Sequence, residues 1–140
     1  MSATPEYETF RQAYLDYAAR QPENDKRCLL AALSAADAHY PAAAQTSFGE
    51  PLLAHLLAAA DTAAQMDLLP DAVAATVLAD MPRHWPQWEE ALAETCGKTV
   101  CTLVRGIDEV RKLTHFARVD ALASPEERAA QAETMRKMLL

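Results

Sequence analysis

Apolar side chains recur along most of this chain at intervals of three and four residues, the spacing of one face of an α-helix. The clearest run comprises Val100, Leu103, Val104, Ile107 and Val110. Alanine is abundant and only three of the 140 residues are glycine, a composition that favours helix. The pattern therefore predicts an all-α domain in which Leu103 and its helical neighbours face the core.

Prolines and capping residues divide this pattern into about six or seven helices. The predicted helices start near Thr4, Asn24, Pro51, Pro70, Trp88, Gly97 and Ser124. Pro41 should end or bend the second helix, and residues 116–123 should form a loop. The fourth helix, residues 72–80, is apolar nearly all round, which is typical of a buried central helix. The last helix reaches Leu140 without a polar cap, so we expect a fragment that is truncated at its C-terminus.

The stretch from Val77 to His84 lies where the apolar fourth helix should open into a polar loop. Asp80 follows several apolar positions, and Pro82 should stop the helix just before Arg83. Helix ends often hold a metal ion or a phosphate. The groups present here are unsuited to that chemistry, so the stretch indicates the remnant of a metal site on a scaffold that has kept its shape.

The length predicts one domain over residues 1–140. No apolar run is long enough to span a membrane, and no secretion signal precedes the first helix. The net charge of −7 argues against a direct nucleic-acid partner. Cys28, Cys96 and Cys101 form an odd set without Cys-x-x-Cys spacing, which argues against a disulfide framework or a zinc ribbon. We therefore expect a cytoplasmic domain with no membrane partner.

His55 on the third predicted helix and Asp80 at the end of the fourth could ligate a divalent cation together. The favoured alternative is a core histidine and a helix-end acid. The chain has neither a His-Glu-x-x-His motif nor a glycine-rich phosphate loop. Cys96 lies near a helix start, where a reactive thiol is the less favoured alternative to a structural role. The Trp85-Pro86-Gln87-Trp88 cluster could anchor a partner, although covering the edge of the core is the favoured role.

Three sequence blocks, in order, resemble the hydrolase domain of the RelA/SpoT family, which makes and degrades the alarmone (p)ppGpp. The blocks are GEPLLAH at residues 49–55, CGKTV at 96–100 with LVRGI at 103–107 and Leu113, and AQAETMRKML at 130–139. The resemblance covers residues 49–140 and leaves residues 1–48 as a helical lead-in. It implies an HD-domain-like helical bundle.

The resemblance also assigns metal-site positions. In hydrolytic members the domain holds Mn²⁺, and the first metal histidine corresponds to His55. The adjacent His-Asp pair corresponds to Ala79 and Asp80, so its histidine is absent. The Glu-Asp pair that works on the attacking water corresponds to Arg83 and His84. The last metal aspartate would follow residue 140. The resemblance therefore implies no catalytic residues and no bound metal, with His55 and Asp80 as vestigial ligands.

Simple electrostatics supports this implication. Arginine is permanently charged, so Arg83 cannot act as a general base. A divalent cation about 6 Å from it, at an effective dielectric constant of about 20, would be repelled by on the order of 5 kcal/mol. Alanine at position 79 also removes an imidazole ligand. Both changes predict loss of the metal.

This pattern of loss resembles RelA-type enzymes, whose hydrolase domain is inactive. It implies a catalytically inactive (p)ppGpp-hydrolase-like domain of a GTP pyrophosphokinase of the stringent response, with a structural or regulatory role. Its partner would be the synthetase domain of the parent chain, which uses Mg²⁺. One alternative is a residual metal-dependent phosphohydrolase that uses His55, Asp80 and His84 on (p)ppGpp or another nucleotide. Another is a free-standing helical interaction module.

The C-terminal helix predicts one further partner. Met135, Met138, Leu139 and Leu140 would face water if their covering helix were missing. Such an apolar patch is rarely left open in a monomer. We therefore expect a homodimer that forms through the C-terminal helix.

Overall fold

The computed structural model describes residues 5–46, 48–122, 133 and 136–138, with side chains at all of these except 5, 6 and 115–122. The chain divides into two compact units, the first ending at Arg105 and the second beginning at Gly106. The described residues form six α-helices and no strand, which confirms the all-α prediction. The helices are α1 (Pro5–Ala19), α2 (Glu23–His39), α3 (Leu52–Gln65), α4 (Pro70–Val77), α5 (Met81–His84) and α6 (Trp88–Leu122).

The first unit is a bundle organised around α3 and α4. Helix α4 packs against both α2 and α3, while α1 packs against α2 and α3. The α4 side chains on this core face are almost completely buried, as expected for a central helix. They include Val73, Ala74, Ala75 and Val77. Small residues on α4 let its neighbours approach closely, and leucines on α2 and α3 fill the remaining core space.

The end of α4 differs from its prediction. The helix stops at Val77, and residues 78–80 form a turn that leads directly into α5. Pro82 is the second residue of α5, so it lies at a helix start and does not stop α4. Proline is well accommodated in a first helical turn, because the amide hydrogen that it lacks has no partner there. The expected polar loop is therefore a buried turn.

Helix α6 contains a break at Gly97, where φ is 81° and ψ is 177°. A side chain strongly disfavours this backbone conformation, so glycine is needed at the position. The prediction of a helix boundary at Gly97 is thus confirmed. The predicted loop at 116–123 is wrong as far as it is described, because α6 continues to Leu122. Residues 114–122 contain neither glycine nor proline to interrupt it.

The second unit begins at Gly106. Its part of α6 carries Lys112, whose Nζ lies 3.4 Å from an Asp108 carboxylate oxygen one helical turn away. Residues 133 and 136–138 are helical, and Arg136 forms an ion pair with Glu133 at 2.7 Å. The predicted helix start at Ser124 lies outside the described residues. Of the four side chains proposed to mediate a dimer, only Met138 is described, and it is half-buried.

The face of α6 after Gly97 also differs from its prediction. Val100 and Val104 are fully buried and Cys101 is 3% exposed, but Leu103 is 39% exposed. Val110 is exposed as well, at 61%. The apolar spacing defines a stripe of residues along the helix, but only the residues on one edge of that stripe are buried against the core. The expectation that Leu103 is fully buried is therefore wrong.

Tyr40 connects α2 to the turn between α4 and α5. Its side chain is buried, and its hydroxyl donates a hydrogen bond of 2.7 Å to the Val77 carbonyl oxygen. The same hydroxyl accepts a bond of 3.3 Å from the Asp80 backbone N–H. Groups at a buried helix end need partners outside the helix. The Tyr40 hydroxyl thus provides a hydrogen-bonding partner for one backbone group on each side of the turn.

Among the described residues, no helix combines the length and the apolar character needed to cross a membrane.

The burial difference on α6 predicts unequal effects of two truncations. Val104→Ala should lower the free energy of unfolding by about 2 kcal/mol, because two fully buried methyl groups are lost. Leu103→Ala should cost less than about 1 kcal/mol, because that side chain is partly in water already. Urea unfolding of both variants and of the unmutated protein measures the two changes in the free energy of unfolding. An equal or larger loss for Leu103→Ala would mean that the assigned face is wrong.

Tyr40→Phe should destabilise the domain by about 1–3 kcal/mol, because it leaves two buried backbone groups without their hydroxyl partner. Amide hydrogen exchange at Asp80 should accelerate more than exchange in α1. Tyr17→Phe, which removes a hydroxyl from α1, is the matched control. Unchanged exchange at Asp80 in the Tyr40 variant would show that the hydroxyl does not hold the turn.

Candidate functional site

A tight loop before α3 positions the first candidate residue. The Leu52 N–H donates to the Ala44 carbonyl oxygen at 2.9 Å, and the Thr46 N–H donates to the Glu50 carbonyl oxygen at 2.8 Å. Gly49 makes the reversal with a φ of 82°, a value that favours glycine. These bonds hold Glu50 two residues before the start of α3, within reach of its first turn.

His55 lies on the solvent-facing side of α3. Its side chain is 49% exposed, and its Nδ1 is 3.1 Å from a Glu50 carboxylate oxygen. The neighbouring residues Leu56 and Leu57 are buried and hold this part of the helix in the core. The predicted vestigial ligand is thus an exposed imidazole paired with a carboxylate.

Ala79 and Asp80 lie in the buried turn between α4 and α5. Ala79 is 5% exposed and Asp80 is 9% exposed. The Ala79 N–H donates to the Thr76 carbonyl oxygen at 3.3 Å, which tightens the chain after α4. The turn therefore places a carboxylate in the protein interior, and the residue before it contributes a methyl group only.

Arg83 and His84 belong to the short helix that follows. The Arg83 side chain is exposed, while its backbone N–H donates to the Asp80 carbonyl oxygen at 3.1 Å. Water therefore screens the guanidinium, and its repulsion of a cation is smaller than the sequence-based electrostatic value. His84 is half-buried, and its ring meets the Tyr40 ring edge-on at 5.4 Å.

The tryptophan cluster covers the edge of the bundle. Trp88 is 5% exposed, and the Trp85 ring stacks on His39 with centroids 3.8 Å apart and planes 11° from parallel. This contact joins the end of α2 to the residue after α5. The favoured prediction, that the cluster covers the core edge, agrees with this packing.

The donor set does not fit the Mn²⁺ that hydrolytic members of the resembled family hold. A site of this class needs several imidazole and carboxylate ligands around one point. In the described part of the chain, no three or more His, Cys, Asp or Glu side chains are grouped so that they could hold a metal ion. Position 79 supplies no donor atom, and position 83 supplies a cation. The residues present at 79–84 are thus poorly suited to bind Mn²⁺.

A separate groove of about 380 Å³ lies along α1 and α3. It is lined by Ala13, Asp16, Tyr17, Arg20, Asp61, Ala64 and Gln65. None of the residues predicted for the metal site contributes to it, so its volume carries no argument about that site.

Tyr40 and Glu50 were missed as parts of the site. Tyr40 lies four residues after the buried Ala36 and directly before Pro41, a position that predicts a buried side chain at a helix end. Glu50 lies five residues before His55, across a helix start. Sequence spacing could have indicated the burial of Tyr40, but its two hydrogen-bonding partners lie about forty residues away.

Comparison with known proteins now assigns the family. A family model described as an HD domain matches residues 31–140. The chain is 36% identical, over 94 residues, to a guanosine-3′,5′-bis(diphosphate) 3′-pyrophosphohydrolase of Haemophilus influenzae, covering 67% of this chain and 13% of that protein. It is 34% identical, over 121 residues, to the bifunctional (p)ppGpp synthase/hydrolase SpoT of Escherichia coli, covering 85% of this chain and 16% of that protein.

The chain therefore spans about one sixth or less of the length of these relatives. No solved structure matches it significantly. The family match extends from α2 through the turn that holds Asp80 and along α6. On this match and the all-helical bundle, the chain belongs to the HD domain family and is related to (p)ppGpp hydrolases.

Proposed function

We propose that this chain is a catalytically inactive (p)ppGpp-hydrolase-like domain of a RelA-type GTP pyrophosphokinase of the stringent response. The observation that carries the proposal is the turn at 78–80. Its backbone is held in the core by Tyr40. Position 79 offers no ligand, and Arg83 stands where the resemblance assigns an acid. The scaffold of a metal site is present without the donors that the chemistry needs.

Hydrolysis by such a domain needs a bound cation and a base beside the attacking water. At 79–84 this chain supplies one buried carboxylate, one half-buried imidazole and one exposed guanidinium. The guanidinium cannot accept a proton at neutral pH. His55 is already paired with Glu50. These features support a loss of hydrolytic activity.

The proposed role is structural and regulatory. In the parent chain the domain would lie beside a synthetase domain that uses Mg²⁺ to make (p)ppGpp from ATP and GTP in the cytoplasm. A closely packed bundle has few intermediate packings, so it suits a domain that biases a neighbour between two states. The hydrogen bonds of Tyr40 are the contact that would transmit such a change, because they connect α2 with the turn that carries Asp80.

A second candidate is a residual metal-dependent phosphohydrolase that uses His55, Asp80 and His84. It is favoured by the relatives, whose names include pyrophosphohydrolase and synthase/hydrolase. Asp80, to which the resemblance assigns a metal ligand, is also buried. The two candidates differ in whether Mn²⁺ supports turnover of ppGpp, which can be measured directly.

The 140-residue protein should release no pyrophosphate from ppGpp in the presence of Mn²⁺. The assay is chromatographic separation of ppGpp and GDP over several hours, with an active (p)ppGpp hydrolase as the positive control. His55→Ala is the matched variant, since it removes one of the two vestigial ligands from an exposed position. If the unmutated 140-residue protein turns over ppGpp and the His55→Ala variant does not, the second candidate replaces the first.

Restoring the missing side chains should not by itself create a tight metal site. The triple variant Ala79→His, Arg83→Glu, His84→Asp should show no tight, stoichiometric Mn²⁺ binding, because the resemblance assigns one more metal aspartate to a position after residue 140. Isothermal titration calorimetry measures this. Arg83→Glu alone is the control that separates the removal of positive charge from the restoration of ligands. Tight binding by the triple variant would contradict the assignment of the last ligand.

A further inference from the structure

Two cysteines that are far apart in sequence meet inside the first unit. Cys28 lies on the buried face of α2, and Cys96 lies on α6 directly before the break at Gly97. The Cys96 thiol donates a hydrogen bond to the Cys28 carbonyl oxygen, with 3.6 Å between Sγ and oxygen, and each thiol shifts the pKa of the other. The contact joins positions 68 residues apart.

The two thiols differ in access to solvent. Cys28 is 5% exposed, whereas Cys96 is half-buried, so a small reagent can reach Cys96 first. The third cysteine, Cys101, is buried, and burial raises its thiol pKa. Cys96 therefore supplies the solvent-accessible sulfur, and Cys28 is the buried cysteine that it contacts. Cys101 is a second buried cysteine.

We propose that Cys28 and Cys96 form a redox-modification site that closes reversibly to a disulfide between α2 and α6. The oxidant class is a small peroxide. The Cys96 thiolate attacks one peroxide oxygen, the O–O bond breaks, and Cys96 becomes a sulfenic acid while the other oxygen leaves as water after taking up a proton. The Cys28 sulfur then attacks the Cys96 sulfur, and the sulfenic oxygen leaves as water with the Cys28 proton. Two thiols lose two electrons in total, and one peroxide becomes two waters.

The surrounding charges are consistent with this order of attack. The neighbouring Cys28 thiol lowers the pKa of Cys96, although partial burial and Asp71 of α4 oppose the shift. The pKa of Cys28 is raised by its contact with Cys96 and by burial, with Asp71 and Asp25 acting in the same direction. Tyr14 of α1 also faces the pair from the core, and burial keeps its phenol protonated to higher pH than usual. Cys96 is thus the attacking thiolate and Cys28 the resolving thiol.

The bond would enclose α3, α4 and α5, together with the turn that carries Asp80. A long enclosed loop reduces the freedom of the unfolded chain, so the oxidised protein should melt at a higher temperature than the reduced one. The bond would also tie the segment of α6 before Gly97 to α2.

The sequence allows a direct test by mass spectrometry. Trypsin cuts after lysine and arginine, so it releases the three cysteines in the separate peptides 28–83, 84–98 and 99–105. The reduced protein is treated with hydrogen peroxide, unfolded in N-ethylmaleimide and digested. The expected product has lost two hydrogen atoms, carries a single maleimide on Cys101, and shows peptides 28–83 and 84–98 linked until dithiothreitol is added. A link to peptide 99–105, a link between two copies, or sulfinic acid on Cys96 with a free Cys28 would overturn the proposal.

Two variants complete the test. Cys101→Ala is the matched control and should form the same linked peptides at the same rate as the parent protein. Cys28→Ala should accumulate an oxidised Cys96 that a sulfenic-acid reagent traps. It should also raise the pH midpoint for alkylation of Cys96 by iodoacetamide, because the neighbouring Cys28 thiol that lowers the pKa of Cys96 is lost. An unchanged midpoint in Cys28→Ala would show that the two thiols do not interact in the folded protein.

Discussion

The buried Tyr40 hydroxyl is the contact on which the arrangement of residues 77–84 depends. Helix α4 ends inside the core, where the carbonyl of Val77 and the amide of Asp80 are remote from water. Buried backbone groups without partners cost more than a single hydrogen bond gains. The hydroxyl serves both groups because it can donate and accept at once. Pro41 ends α2 directly after Tyr40 and so keeps the phenol beside this turn.

This dependence separates the shape of the turn from its chemistry. The path of the chain rests on the Tyr40 hydroxyl and on backbone bonds, and none of these involves the side chains at 79 and 83. These bonds therefore do not depend on which side chains stand at positions 79 and 83. Under the proposed function, a domain of this kind loses its metal chemistry by substitution while it keeps the surfaces through which it contacts the rest of its parent chain.

Gly97 has a comparable role in α6. Its backbone conformation excludes a continuous helix, so the segments on either side follow separate directions. The first segment brings Cys96 against Cys28, and the second buries Val100 and Val104. A side chain at position 97 would meet no neighbouring atom within 4 Å, so the requirement for glycine is conformational and not steric crowding. Because of the break, the segments of α6 before and after Gly97 can each pack against the core in a different orientation.

Local features were readable from the sequence alone. Apolar spacing and prolines determine that the chain is helical, where α1 to α3 begin, and that α4 is central, because these properties depend on near neighbours. The resemblance likewise identified the HD domain.

Tertiary structure decided the rest. A periodic stripe specifies spacing but not which edge of the helix meets the core, so Leu103 was assigned to the wrong side. Pro82 has the same local signature whether it ends one helix or begins the next, and the buried turn before it makes it a beginning. The contacts of Tyr40 and of Cys28 join residues tens of positions apart. Such pairs are created only when whole helices pack, which no local pattern in the chain encodes.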